Sequence, residues 1–98
     1  METFKIVIVE DDFQFALKVE MLLDEMGLKL EKAFDSAEEA MPYIRSNPPD
    51  LVLLDVFLKG KMTGVELANQ VNDLGISFII FSFKKTSSKT KSGGLDRI

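Results

Sequence analysis

Four acidic residues could do chemistry here, and they stand in two places. Glu10-Asp11-Asp12 closes an apolar run, Ile6-Val7-Ile8-Val9, and Asp55 closes another, Leu51-Val52-Leu53-Leu54. Asp55 is a carboxylate inside an otherwise apolar octamer that ends Val56-Phe57-Leu58. Burying an unpaired carboxylate is costly, so it must meet either a cation or hydrogen-bond donors. It could simply cap the following loop through backbone N–H groups, or it could be the reacting group of a site. The acidic triplet is open to two readings as well. Acids ahead of a helix favour the positive end of its dipole and cap its free N–H groups, but capping needs only one of the three. Adjacent carboxylates repel, and a divalent cation between them and Asp55 relieves that repulsion. On this division Asp12 is the simple cap, and Glu10 and Asp11 are the metal pair. Ser82 ends a third apolar run, Ile76 to Phe81 broken only by Ser77. Its hydroxyl is either a polar strand end or a donor to an oxyanion held at Asp55.

Together these residues suggest phosphoryl transfer to a carboxylate. A divalent ion would span Asp11, Asp55 and a phosphoryl oxygen while Asp55 attacks in line. The 98 residues contain no His and no Cys, which excludes imidazole or thiolate metal sites and disulfides. Oxygen ligands leave a hard cation such as Mg²⁺ as the favoured cofactor. The phosphoryl donor must then be another protein or a small phosphorylated molecule.

The elements that would position these groups follow from the hydrophobic pattern. Residues 4–9, 51–55 and 76–81 read as buried strands, and residues 28–34 as a shorter, more exposed one. A helical stripe of Phe15, Val19, Leu22 and Met26, widened by Leu23, spans residues 13–26, with Gly27 placed to end it. Ser36-Ala37-Glu38-Glu39 has the form of a capping box and opens a helix reaching Ser46, in which Pro42 predicts a kink or a delayed start. A third helix is read over residues 65–74, buried through Val65, Leu67, Ala68 and Val71, with Gly75 as its stop. The order βαβαβαβ predicts an α/β fold with a doubly wound parallel sheet. Ligands of such sheets bind beyond the carboxyl ends of the strands, at the switch in strand order. All three polar strand ends lie there.

From Thr86 onward the chain is dominated by Ser, Thr, Lys and Gly without apolar periodicity, so residues 1–83 are read as the domain and 84–98 as a disordered basic tail. The tail holds five basic residues against Asp96, a surplus of four; the net charge of −4 leaves the remainder at −8. An acidic body argues against nucleic acid as a direct partner. No run approaches the length of a membrane span, and the first strand begins too early to leave room for a signal peptide, so a cytoplasmic protein is expected.

Ile6-Val7-Ile8-Val9-Glu10-Asp11-Asp12, Pro49-Asp50-Leu51-Val52-Leu53-Leu54-Asp55-Val56 and Gly64-Val65-Glu66-Leu67-Ala68 together closely resemble bacterial two-component response-regulator receiver domains. The resemblance covers residues 4–82 and implies a flavodoxin-like sheet. It implies that Asp55 is the phosphoacceptor, that Glu10, Asp11, Asp55 and the backbone carbonyl of Phe57 serve Mg²⁺, and that Ser82 is the switch hydroxyl. The implied partner is a sensor histidine kinase or phosphotransfer protein, and the chain is a regulatory phosphoacceptor rather than an enzyme. The Lys59-Gly60-Lys61-Met62 loop looks like a variant found in regulators with DNA-binding output domains.

After Ser82 the pattern departs from the family, which continues with a helix, a strand ending in Lys-Pro and a last helix. Lys84 or Lys85 is a weak substitute for that lysine. Without the last strand, the strand at 76–81 becomes an apolar edge, which predicts homodimers or domain swapping. Two other functions compete. A receiver-like binding module would bind a kinase without switching. A Toprim-type nucleic-acid enzyme needs a second Asp two residues after the first, where this chain has Phe57.

Overall fold

A computed structural model describes residues 3–82. Seven elements alternate along the chain: β1 (Ile6–Val9), α1 (Phe13–Glu25), β2 (Leu30–Phe34), α2 (Ala37–Ser46), β3 (Leu51–Asp55), α3 (Gly64–Asp73) and β4 (Ser77–Phe81). The strands form one parallel sheet in the order β2-β1-β3-β4. The chain steps outward from β1 to β2 and then returns across β1 to β3, so the switch in strand order lies between β1 and β3. The doubly wound α/β fold read from the sequence is the fold observed. The expected tail, residues 84–98, lies outside the described residues.

Each helix boundary has a local cause. Asp12 caps α1 by accepting from the Phe15 N–H at 2.9 Å. Gly27, at φ +82°, reverses the chain after α1, where the Leu28 N–H reaches the Leu23 carbonyl. Ser36 caps α2 through the Glu39 N–H. The reciprocal capping box is found at α3: Thr63 accepts from the Glu66 N–H, and the Glu66 carboxylate accepts from the Thr63 N–H. Pro42 does not delay α2, which begins at Ala37 and carries the proline on its exposed side. The cost of its missing donor is offset by the face that Ala37, Ala40, Met41 and Ile44 bury.

The two faces of the sheet are covered unequally. On one face Val7, Val9, Val52 and Leu54 meet Ala40, Met41 and Ile44 of α2 and Leu67, Ala68 and Val71 of α3 in one apolar cluster. The opposite face holds Ile6 and Ile8, also fully buried, under α1. There the expected stripe is corrected. Leu22 and Met26 are 60% and 70% exposed, Ala16 is the buried residue of the helix, and Phe15, Val19 and Leu23 are half-buried. The small Ala16 side chain lets the helix lie on the sheet, and Phe15 turns inward to stack on Phe81 with ring centroids 5.4 Å apart. That rotation sends Leu22 and Met26 to the flank. Val65 of α3 is likewise exposed rather than part of the buried face.

Leu54→Ala should therefore cost about 2–5 kcal/mol, and Leu22→Ala no more than about 0.5 kcal/mol. Urea denaturation midpoints of the two variants provide the comparison. Equal losses would contradict the helix orientation.

Candidate functional site

The site is built by register. Val9 of β1 lies opposite Leu54 of β3, so the residues that follow, Glu10 and Asp55, emerge side by side at the carboxyl end of the sheet. Both are almost fully buried, at 3% and 1% exposure, and Asp11 beside them is half-buried. One carboxylate oxygen from each of Glu10, Asp11 and Asp55 lies within 4.8 Å of the others. The cap read from the sequence is observed, with Asp12 accepting from the Phe15 N–H, and Glu10 and Asp11 each bring a carboxylate oxygen close to Asp55.

Backbone N–H groups hold two of the three carboxylates. Glu10 Oε2 accepts from the Asp12 N–H at 2.8 Å, and Asp55 Oδ1 accepts from the Phe57 N–H at 3.0 Å. The loop-capping bond is thus present together with the carboxylate cluster. Glu10 Oε1 is buried without a hydrogen-bond partner among the described residues. An orphaned acceptor in a cluster of three acids fits a divalent cation of oxygen-ligand chemistry. Burial pushes the Glu10 carboxyl up to about 8; the Asp12 N–H opposes the rise, and Asp11 and Asp55 add to it.

Around this cluster lie groups that sequence reasoning missed. Gly64 starts α3 hard against the site, and a Cβ there would overlap the Asp55 carbonyl oxygen and the Val56 Cα. A glycine directly after the Thr63 cap was a readable sign of such close packing. Glu38 of α2 accepts from the Lys61 N–H and holds the loop that follows Asp55. That bond keeps its carboxyl below the usual range, and no sequence spacing announced it. A cavity of about 360 Å³ opens beside the cluster, lined by Glu10, Asp11, Asp35 and Glu39 with Phe13 and Phe34. Ser82 is exposed and directly follows Phe81, the register partner of Asp55, whose carbonyl accepts from the Val56 N–H at 2.8 Å.

The model of the response regulator receiver domain matches residues 6–95. This chain belongs to the response regulator receiver family. The match runs past Ser82, where the resemblance read from the sequence ends, into residues outside the described part. The receiver is 33% identical over 93 residues to the transcriptional regulatory protein DltR of Streptococcus agalactiae, covering 94% of this chain and 41% of the relative. It is 31% identical over 94 residues to the transcriptional regulatory protein YvrH of Bacillus subtilis, covering 96% and 39%. The receiver thus spans about two fifths of the length of these curated relatives. Among solved structures, it superposes on the signal receiver domain of a modulated diguanylate cyclase from Desulfovibrio desulfuricans with a TM-score of 0.75 and 29% identity, covering 87% of this chain and 66% of that one. No helix among the described residues of this receiver is long and apolar enough to cross a membrane.

Two measurements test the site geometry. The folded value of Glu10 lies above the ordinary 4.5, so the native state holds this proton more tightly than the unfolded chain does. With chelator present, Glu10's contribution to stability is full below pH ~4.5 and is lost as pH rises through about 8. Glu10→Gln should match the parent near pH ~4 and exceed it in urea midpoint above pH ~8. Equal midpoints at the higher pH would show that Glu10 is not strained by its neighbours. Gly64→Ala should destabilise the receiver by about 1–3 kcal/mol through overpacking against β3, read by the same denaturation.

Proposed function

We propose that this receiver accepts a phosphoryl group onto Asp55 from the phosphohistidine of a sensor histidine kinase or phosphotransfer protein. The observation that carries the reading is the position of Asp55, buried at the switch point with two further carboxylates within 4.8 Å. An Asp55 oxygen forms the new O–P bond as the P–N bond of the donor breaks, and the departing imidazole keeps the electron pair. The phosphohistidine lies outside these 98 residues, which include no His.

Glu10, Asp11, Asp55 and the backbone carbonyl of Phe57 would hold Mg²⁺, which would offset the negative charge of the acids and the phosphoryl oxygens. The Phe57 N–H keeps the Asp55 carboxylate oriented, and its burial limits competing water. The Ser82 hydroxyl donates to a phosphoryl oxygen on Asp55, a role supported by its place one residue beyond the register partner of Asp55. The acidic body suits a regulatory protein partner in the cytoplasm rather than direct nucleic-acid contact.

Incubation with acetyl phosphate, with and without Mg²⁺, followed by intact-mass measurement, tests this assignment. The expected result is a Mg²⁺-dependent gain of one phosphoryl group that is absent from Asp55→Asn. A folded chain that gains none would overturn the phosphoacceptor role and leave a receiver-like binding module. A gain without any change in affinity for the donor protein would mean that Asp55 is modified but the domain does not switch.

A further inference from the structure

Residues 56–63 join Asp55 to α3. Among the described residues, positions 58–62 of this loop make no backbone-to-backbone hydrogen bond. Leu58 and Met62 rest against the apolar cluster, and Lys59, Gly60 and Lys61 between them are exposed. At its start the loop is tied to the site itself, because the Phe57 N–H donates to Asp55 Oδ1. That tie depends on a carboxylate that must also serve the chemistry. A second hold, independent of Asp55, comes from α2.

Glu38 stands in the first turn of α2, where the helix dipole favours a carboxylate. Ala37, Ala40 and Met41 around it are buried in the core, so the base of its side chain is fixed to the sheet. From there Oε2 accepts from the Lys61 N–H. The Lys61 N–H first, then the N–H of Glu38 itself, keep this carboxyl below its ordinary value, so the acceptor stays charged at neutral pH. A charged acceptor makes the bond roughly twice as strong as a neutral one. Gly60 is shaped for the contact: its φ is +107°, and a Cβ there would lie 2.8 Å from both Glu38 carboxylate oxygens. The other end of α2 reaches the same loop indirectly. Arg45 donates to Gln70 Oε1 at 2.8 Å, and Gln70 Nε2 donates to Met62 Sδ at 3.8 Å.

We propose that Glu38 is a positioning residue of the site: by fixing the exposed turn of the loop to α2, it holds the Phe57 carbonyl in place for a divalent cation. This role rests on Phe57 and the three acids being the Mg²⁺ ligands. Glu38 is not one of the clustered acids, and it acts through the backbone of residues 58–60. Removing a group that orients a metal ligand costs about 10–100-fold in metal affinity, and an exposed tether outside the cluster belongs at the lower end of that range. Because Glu38 is exposed, its loss leaves the apolar core intact.

Titration of the full chain with Mn²⁺, followed by the paramagnetic resonance of the free ion, reads this role without phosphoryl transfer. Glu38→Ala should weaken Mn²⁺ binding about tenfold. Glu38→Gln keeps an acceptor oxygen and should fall between Glu38→Ala and the parent. Gly60→Ala should weaken binding in the same direction by displacing the carboxylate. Glu31→Ala, which removes an acid bonded to Tyr43 rather than to the loop, should bind like the parent. In the metal-free chain, amide hydrogen exchange at Phe57 should be faster in Glu38→Ala and unchanged at Leu54, which separates a loosened loop from a loosened fold. Parent-like Mn²⁺ binding by Glu38→Ala would overturn the role, and so would an equal loss in Glu31→Ala, which would show only the general charge of the body at work. In both cases the parent still binds the ion and its metal site stands. A parent chain that binds no Mn²⁺ would overturn the metal site itself, and the role of Glu38 with it.

Discussion

The repulsion among three carboxylates at the end of β1 and β3 is the constraint around which the rest of this structure is arranged. At separations below 5 Å each charged pair opposes folding by a few kcal/mol even at an effective dielectric of about 20. Parallel pairing of β1 with β3 leaves no alternative placement, because the register that buries Val9 beside Leu54 also brings Glu10 beside Asp55. The fold answers in three ways. Asp12 is drawn off to the end of α1, backbone N–H groups from Asp12 and Phe57 each take one oxygen, and Glu10 keeps its proton well into the neutral range. What remains is a site that gains by admitting a cation.

Meeting that cost falls mainly to one side of the sheet. The cluster beneath α2 and α3 is continuous and fully buried, and it contains the inward residues of both strands that bear the acids. The α1 side is thinner, since that helix buries Ala16 and otherwise rests on half-covered side chains. Local opening is therefore cheapest at α1, the element that follows the acidic triplet, whereas β3 is held at the centre of the sheet. Asp55 and Glu10 stay anchored at the ends of the two central strands, whereas the half-buried Asp11 sits next to the thinner side.

Much of this arrangement was legible in the sequence, because it follows from periodicity and from carboxylates set at the ends of apolar runs. The alternation of strands and helices, the capping role of Asp12, and the meeting of both acidic clusters at the carboxyl ends of the strands came from those signals, whereas the flavodoxin-like topology of the sheet was implied only by the resemblance to receiver domains. The rotation of α1 did not, since a stripe through Phe15, Val19, Leu22 and Met26 has the same spacing as one through Ala16, Val19 and Leu23. Only the sheet beneath it, with Phe81 as a stacking partner, distinguishes them. The delayed start expected from Pro42 does not occur, because the rule about its missing donor ignores what the rest of α2 buries. The contact between Glu38 and Lys61 joins residues 23 positions apart through a side chain and a backbone amide, which leaves no trace in composition or spacing.

That same contact gives the site two different acid responses. Eight residues, 56–63, connect β3 to α3, and Glu38 fastens them near their far end, which shortens the segment that would otherwise have to be ordered by the site alone. The carboxyl that fastens the loop is held below the usual carboxylate range, and the carboxyl that strains the cluster is pushed far above it. As a solution is acidified, Glu10 takes up its proton long before Glu38 does. The charge that strains the cluster at Glu10 is thus removed while the β3–α3 loop is still fastened to α2, so acid relieves the crowding of the site without dismantling its wall.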